Sequence, residues 1–97
     1  MEIRIQSIHF DAAAQLNAFI EKKVGKLDQF YDGIILAEVV LKVVKPESAM
    51  NKEASVRLVI KNGECFADKT KDTFEEAIDE CVKALEKQLL KVKDKNQ

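Results

Sequence analysis

Lys83, Lys87 and Lys91 recur every four residues within Asp72–Lys95, a segment whose apolar positions Phe74, Ile78, Cys81, Leu85, Leu89 and Val92 keep helical spacing. The apolar stripe turns to a core, and the lysines lie on nearly the opposite face. Ammonium groups one turn apart repel each other by roughly 0.2–0.5 kcal/mol per pair in an isolated helix, a cost that an anionic partner removes. The same lysines suit the negative end of the helix macrodipole, just as Glu75, Glu76, Asp79 and Glu80 suit its positive start. Charge alone therefore leaves two readings open, a solvated dipole-matched helix and a rail for nucleic acid.

Residue types that perform covalent or acid–base chemistry stand alone elsewhere. His9 is the single histidine and precedes Phe10 and Asp11. Without a neighbouring nucleophile or carboxylate motif it suits a loop or capping position better than a general base. Cys65 and Cys81 both fall on predicted core faces and form no C-x-x-C pair. They read as small buried hydrophobes rather than metal ligands or a redox couple. Gly25, Gly33 and Gly63 are isolated and make no phosphate loop, and the acids from Glu75 to Glu80 lack the loop of a calcium site. Phe66, near Arg57 and Lys42, offers one ring for base stacking where sheet readers of RNA usually display more. The expectation is a protein without catalysis, metal, cofactor or small-molecule substrate.

The 97 residues suffice for one two-layer domain, and 46% hydrophobic with 34% charged residues is the composition of a folded soluble chain. The net charge is −1, so an anion-binding role must come from a local patch. One exists: from Lys83 onward five lysines face only Glu86 and Asp94. No apolar run approaches a membrane span and Met1-Glu2-Ile3-Arg4 lacks a secretory pattern, so a cytoplasmic location with reduced thiols is expected.

Alternation predicts a half-buried strand over Glu2 to Ile8. Asp11 is a plausible N-cap for a helix from Ala12 to about Phe30, and Tyr31-Asp32-Gly33 marks its exit. Ile34 to Lys45 is a β-branched strand with Ala37, Val39, Leu41 and Val43 on one face; Pro46 to Asn51 is a loop; Glu53 to Lys61 is the next strand. Asn62-Gly63 predicts a type I′ hairpin into Glu64–Lys69, with Ile60 facing Cys65, Leu58 facing Ala67 and Val59 facing Phe66. Asp72 or Thr73 should cap the last helix, with Glu75 or Glu76 in capping-box position. The order β-α-β-β-β-α implies an α+β two-layer sandwich, two helices side by side on one face of a four-stranded sheet. The outer face would carry Arg4, Gln6, Val40, Lys42, Val44, Arg57, Val59 and Phe66, partly solvated.

The first helix sharpens the choice. Leu16, Ile20, Val24, Leu27 and Phe30 define its buried arc; Lys23 falls inside that arc, and Lys22 and Lys26 border it. A buried ammonium is costly, so Lys23 must lay its methylenes on apolar neighbours and surface at an edge. If that edge is the groove between helices, Lys23 and Lys26 join Lys83, Lys87 and Lys91 in one basic ridge. Simple snorkelling is the alternative.

Three segments carry a resemblance: FIEKKVGKLDQFYD (19–32), ASVRLVIKNGECFA (54–67) and FEEAIDECVKALEKQLLKVKDK (74–95). In order and spacing they resemble the ribosome hibernation promoting factor and ribosome-associated inhibitor family, the sigma-54 modulation proteins. The resemblance implies a β-α-β-β-β-α domain on the small ribosomal subunit and its rRNA. There it would occupy the channel of mRNA and of the A- and P-site tRNAs, silencing translation under stress or in stationary phase. It assigns RNA binding to Lys23, Lys26, Lys83, Lys87 and Lys91, with Lys22 beside the motif. Ending near Gln97, the chain resembles a short form, one ribosome-binding domain without a C-terminal dimerisation domain, monomeric off the ribosome. A different reading is a protein-interaction module that uses the outer sheet around Val40, Val44, Val59 and Phe66.

Overall fold

Period-two alternation and helical stripes resolve, in a computed structural model describing residues 1–45, 47, 49–61 and 63–95, into two layers. The elements are β1 (Glu2–Ile8), α1 (Ala14–Gly25), a 3-10 turn (Lys26–Gln29), β2 (Ile34–Val43), β3 (Lys52–Ile60), β4 (Gly63–Lys71) and α2 (Phe74–Lys95). The sheet order is β1-β2-β3-β4. β1 runs parallel to β2, with Ile3 opposite Ala37 and Ile5 opposite Val39, and the other pairs are antiparallel. α1 supplies the crossover that parallel neighbours require. The expected α+β sandwich is the observed one.

Both helices close over one sheet face. Ile20, Val24 and Leu27 meet Val39, Leu41, Val56 and Leu58 from the sheet and Ile78, Leu85 and Leu89 from α2, all essentially inaccessible to water. Each such side chain contributes about 1.5–3 kcal/mol of burial, which is why the faces are specified so firmly. The Cys81 thiol donates to the carbonyls of Ala54 (3.4 Å) and Ala67 (3.7 Å), so the middle of α2 sits over the β3–β4 pair. β4 is a sheet edge, and α2 closes it at one point. Phe66 N–H donates to Gln88 Oε1 (3.2 Å) while Gln88 Nε2 donates to the Phe66 carbonyl (2.7 Å). One side-chain amide thus replaces the ladder bonds a further strand would make.

Three expectations change. α1 begins at Ala14, not Ala12, and its N-cap is Ala13, extended and without a side-chain bond, rather than Asp11. Phe10 stacks on Phe74 (centroids 5.1 Å apart, planes within 6°), so the chain must leave that stack before it can coil. At its other end α1 stops at Gly25 and tightens into the 3-10 turn, which carries Leu27 into the core. The β3–β4 register also moves by two. Ile60 pairs with Gly63, Leu58 with Cys65, Arg57 with Phe66 and Val59 with Glu64.

A shift of two preserves the faces, so the hydrophobic pattern does not distinguish the registers. Charge does not either, since the expected register would set Asp68 opposite Arg57 where the observed one brings Glu64 to it. Arg57 lies opposite Glu38 and diagonal to Glu64, donating from Nη1 to Glu38 Oε1 and from Nε to Glu64 Oε2 (2.8 Å). Gly63 opens β4 opposite Ile60, while Asn62 of the expected turn lies outside the described residues, as do Pro46 and Ser48 of the expected loop. The cap of α2 is Thr73, whose Oγ1 accepts from Glu76 N–H at 3.1 Å. Asp72 instead accepts from Met50 N–H (2.9 Å) and ties the β2–β3 loop to the start of α2.

Candidate nucleic-acid interface

The sheet fixes where α2 lies, and the wheel of α2 then fixes its lysines. Lys83, Lys87 and Lys91 are exposed on its outward face, as are Lys22 on α1 and Lys26 at the head of the 3-10 turn. Lys23 is half-buried. Its Nζ lies 3.7 Å from Asp79 Oδ1 on α2 and 5.5 Å from the centre of the Phe19 ring, within cation–π range. The stem snorkels over an aromatic and the head crosses to the neighbouring helix. Lys23 therefore meets α2 through an acid, and the cations of the two helices are separated there by Asp79.

The helices run in the same direction. Phe10 ahead of α1 stacks on Phe74, Lys23 reaches Asp79, and residues 29–32 share a pocket with Lys93. Along the other flank of α2, Lys83 and Lys87 share a groove of about 440 Å3 with Lys69 of β4, floored by Ala84 and Leu90 and including Glu80 and Glu86. A smaller notch of about 200 Å3 joins Lys71 and Lys83 with Glu76, Asp79 and Glu80. The acids concentrate in the first half of α2, so positive charge dominates toward its C-terminal end, as the macrodipole favours. Among the described residues Lys22, Lys26, Lys69, Lys71, Lys83, Lys87 and Lys91 form no ion pair.

Lys69 and Lys71 were not singled out from the sequence, although a signal exists. They continue the parity of the buried Cys65 and Ala67, and so stand on the helix-bearing side of the β4 edge, beside α2. Arg57, by contrast, is neutralised on the outer face by two carboxylates. Its pKa rises through the hydrogen bond to Glu64 first, then the charge of Glu64 and the bond to Glu38. Half-exposed Phe66 beside a neutralised arginine is a poor platform for an anionic polymer.

The remaining reactive groups are structural in placement. His9 sits in the turn after β1 with φ of 64°. Cys65 and Cys81 are free and buried; burial pushes the Cys65 thiol up, and burial followed by the charge of Asp68 pushes Cys81 up to about 12. Among the described residues no group of three or more His, Cys, Asp or Glu is placed to hold a metal ion. No described helix is long and apolar enough to cross a membrane.

Fold and surface together define a small β-α-β-β-β-α domain with unpaired cations on its helical side. The chain belongs to the Sigma 54 modulation protein / S30EA ribosomal protein family, whose model matches residues 3–97. It is similar to the ribosome hibernation promoting factor of Escherichia coli K12, 32% identical over 95 residues, covering 98% of this chain and 96% of that one. A Pseudomonas putida protein of the same name is 27% identical over 97 residues, covering all of this chain and 91% of its own length. Among solved structures, a ribosomal subunit interface protein from Coxiella burnetii aligns with a TM-score of 0.86 at 21% identity, over 97% of this chain and 99% of that one. The Thermus thermophilus Protein Y N-terminal domain aligns at 0.82 and 24% identity, over 95% and 99%. At these identities the two structures speak for the fold.

Proposed function

We propose that this protein is a cytoplasmic ribosome hibernation factor that binds the small ribosomal subunit and its rRNA. It does so through Lys83, Lys87 and Lys91, flanked by Lys26 and Lys22 and joined by Lys23. Bound there, the domain blocks the mRNA and tRNA sites and inhibits translation under stress or in stationary phase. The observation that carries this reading is the row of exposed, unpaired lysines on α2, in a chain of a family whose curated members include ribosome hibernation promoting factors. No bond is made or broken. The lysines displace counterions from phosphates, and the rigid two-layer body excludes whatever else would occupy the site.

Five phosphate contacts give a log–log salt slope of about −3 to −5. Lys23 contributes only on releasing Asp79. The test is sucrose-gradient cosedimentation with separated small and large bacterial subunits at two salt concentrations, for the parent and for Lys87→Glu/Lys91→Glu. The parent should travel with the small subunit at low salt and leave it at high salt, and the double variant should not bind. Salt-insensitive binding, or a double variant that cosediments normally, overturns the reading.

A further inference from the structure

Where the two helices end, Gln29, Phe30, Tyr31, Asp32 and Lys93 line a pocket of about 200 Å3 that the lysine row does not use. Phe30 closes the 3-10 turn, its N–H donating to the Leu27 carbonyl at 3.0 Å. Gly33 follows with φ of 105°, a conformation side chains rarely adopt, and turns the chain into β2. A Cβ there would lie 3.7 Å from Tyr31 Cε1, so the ring stands directly beside the bare glycine. Phe30 and Tyr31 are half-buried against the core, and their orientation is set before any ligand arrives. Among the described residues the side chains of Gln29, Tyr31, Asp32 and Lys93 make no hydrogen bond or ion pair.

Two fixed rings, an amide, a carboxylate and an ammonium therefore converge on one small space with their polar groups unspent. That combination matches a nucleotide unit: ring faces stack a base, amide and carboxylate meet its edge, and the ammonium meets its phosphate. We propose that this pocket holds one unpaired base of an RNA strand, stacked on Tyr31, with Lys93 on the adjoining phosphate. A carboxylate only accepts, so Asp32 requires donors on the base edge. Guanine offers adjacent N1–H and N2–H groups, while uracil offers a single N–H between two carbonyls. The pocket therefore prefers guanine. The proposal rests on the RNA-binding reading above and adds a base-selective element to it.

The test follows backbone amide NMR shifts of the full chain on titration with the tetranucleotides UUGU and UUUU, with 5′-GMP and with ribose 5-phosphate. UUGU should move the amides of residues 29–33 and Lys93 and bind about tenfold more tightly than UUUU. Tyr31→Ala should weaken UUGU by about five- to a hundredfold. Asp32→Asn, at an exposed position, should level the two tetranucleotides while keeping a native spectrum, so the preference stays testable if Tyr31→Ala unfolds. Equal shifts from ribose 5-phosphate, or shifts confined to residues 83–91, overturn the base pocket. GMP binding as tightly as UUGU overturns RNA as the source in favour of a free nucleotide. Cosedimentation of the parent with small subunits, run in parallel, separates the two readings. Ribosome binding with a silent pocket removes only this proposal, and a responsive pocket without ribosome binding removes only the ribosomal one.

Discussion

Replacing Gln88 tests whether its amide holds the β4 edge to α2. The amide makes two hydrogen bonds to one residue, accepting from Phe66 N–H at 3.2 Å and donating to the Phe66 carbonyl at 2.7 Å. A net hydrogen bond is worth about 0.5–1.5 kcal/mol, so the pair bounds the effect of Gln88→Ala at about 1–3 kcal/mol. Phe66 is 51% exposed, and water will re-pair its backbone groups once the amide is gone. The low end is therefore expected, about 1 kcal/mol, or a Tm lower by about 4–8 °C for a domain of this size. Gln88→Glu separates the two bonds. It retains the acceptor for Phe66 N–H but turns a carboxylate oxygen toward the Phe66 carbonyl. At neutral pH it should destabilise more than the alanine variant, and acidification through the carboxylate range should recover part of the loss by restoring a donor. Urea unfolding of the three proteins at pH 7 and pH 4 measures this. If both variants match the parent within about 0.3 kcal/mol, the clasp contributes nothing and the reasoning fails.

Asp79→Asn frees Lys23; an exposed pair is worth about 0.2–1 kcal/mol, so small-subunit affinity should rise about 1.4- to 5-fold, and cosedimentation showing weaker binding would take Lys23 out of the interface. With its pKa raised to about 12, Cys81 should resist iodoacetamide at pH 8.5 in the native protein and react only on unfolding, as peptide mapping will report. Only the unfolded chain ionises that thiol in the ordinary range, so urea midpoints should fall as pH rises past about 9. Leu85→Ala, at a fully buried site, should cost about 2–5 kcal/mol by chemical denaturation without altering the salt slope of whatever folded fraction binds.

Element types and faces were legible because burial enforces them residue by residue. Val39, Leu41, Val56 and Leu58 alternate, and the buried stripe of α2 repeats with its turn. Register was not legible, since moving β4 by two leaves every face intact and either register sets a carboxylate beside Arg57, Glu64 in the observed one and Asp68 in the expected one. Asp11 looked like a cap because the Phe10–Phe74 stack, which delays the helix, joins residues far apart in sequence. The lysine row was readable on a wheel, but its neighbours were not. A wheel says which residues share a face of α2, and only the fold says that Lys69 borders that face and that Asp79 stands between Lys23 and the row. The pocket at Tyr31 was hidden for the same reason, Lys93 being contributed from the far end of the chain.

The parallel pairing of β1 with β2 also dictates a timetable. The β2–β3 and β3–β4 pairs are closed by loops or turns, so their closures are local, whereas β1 pairs with β2 across the whole of α1. During synthesis β1 is made first and has no partner until the chain through Val43 has followed. At ordinary elongation rates of about 5–20 residues per second, that is a wait of roughly 2–7 s after Ile8. Throughout it Ile3 and Ile5 remain uncovered, interleaved with Glu2, Arg4 and Gln6. Those polar neighbours act as gatekeepers for a nascent strand whose partner does not yet exist.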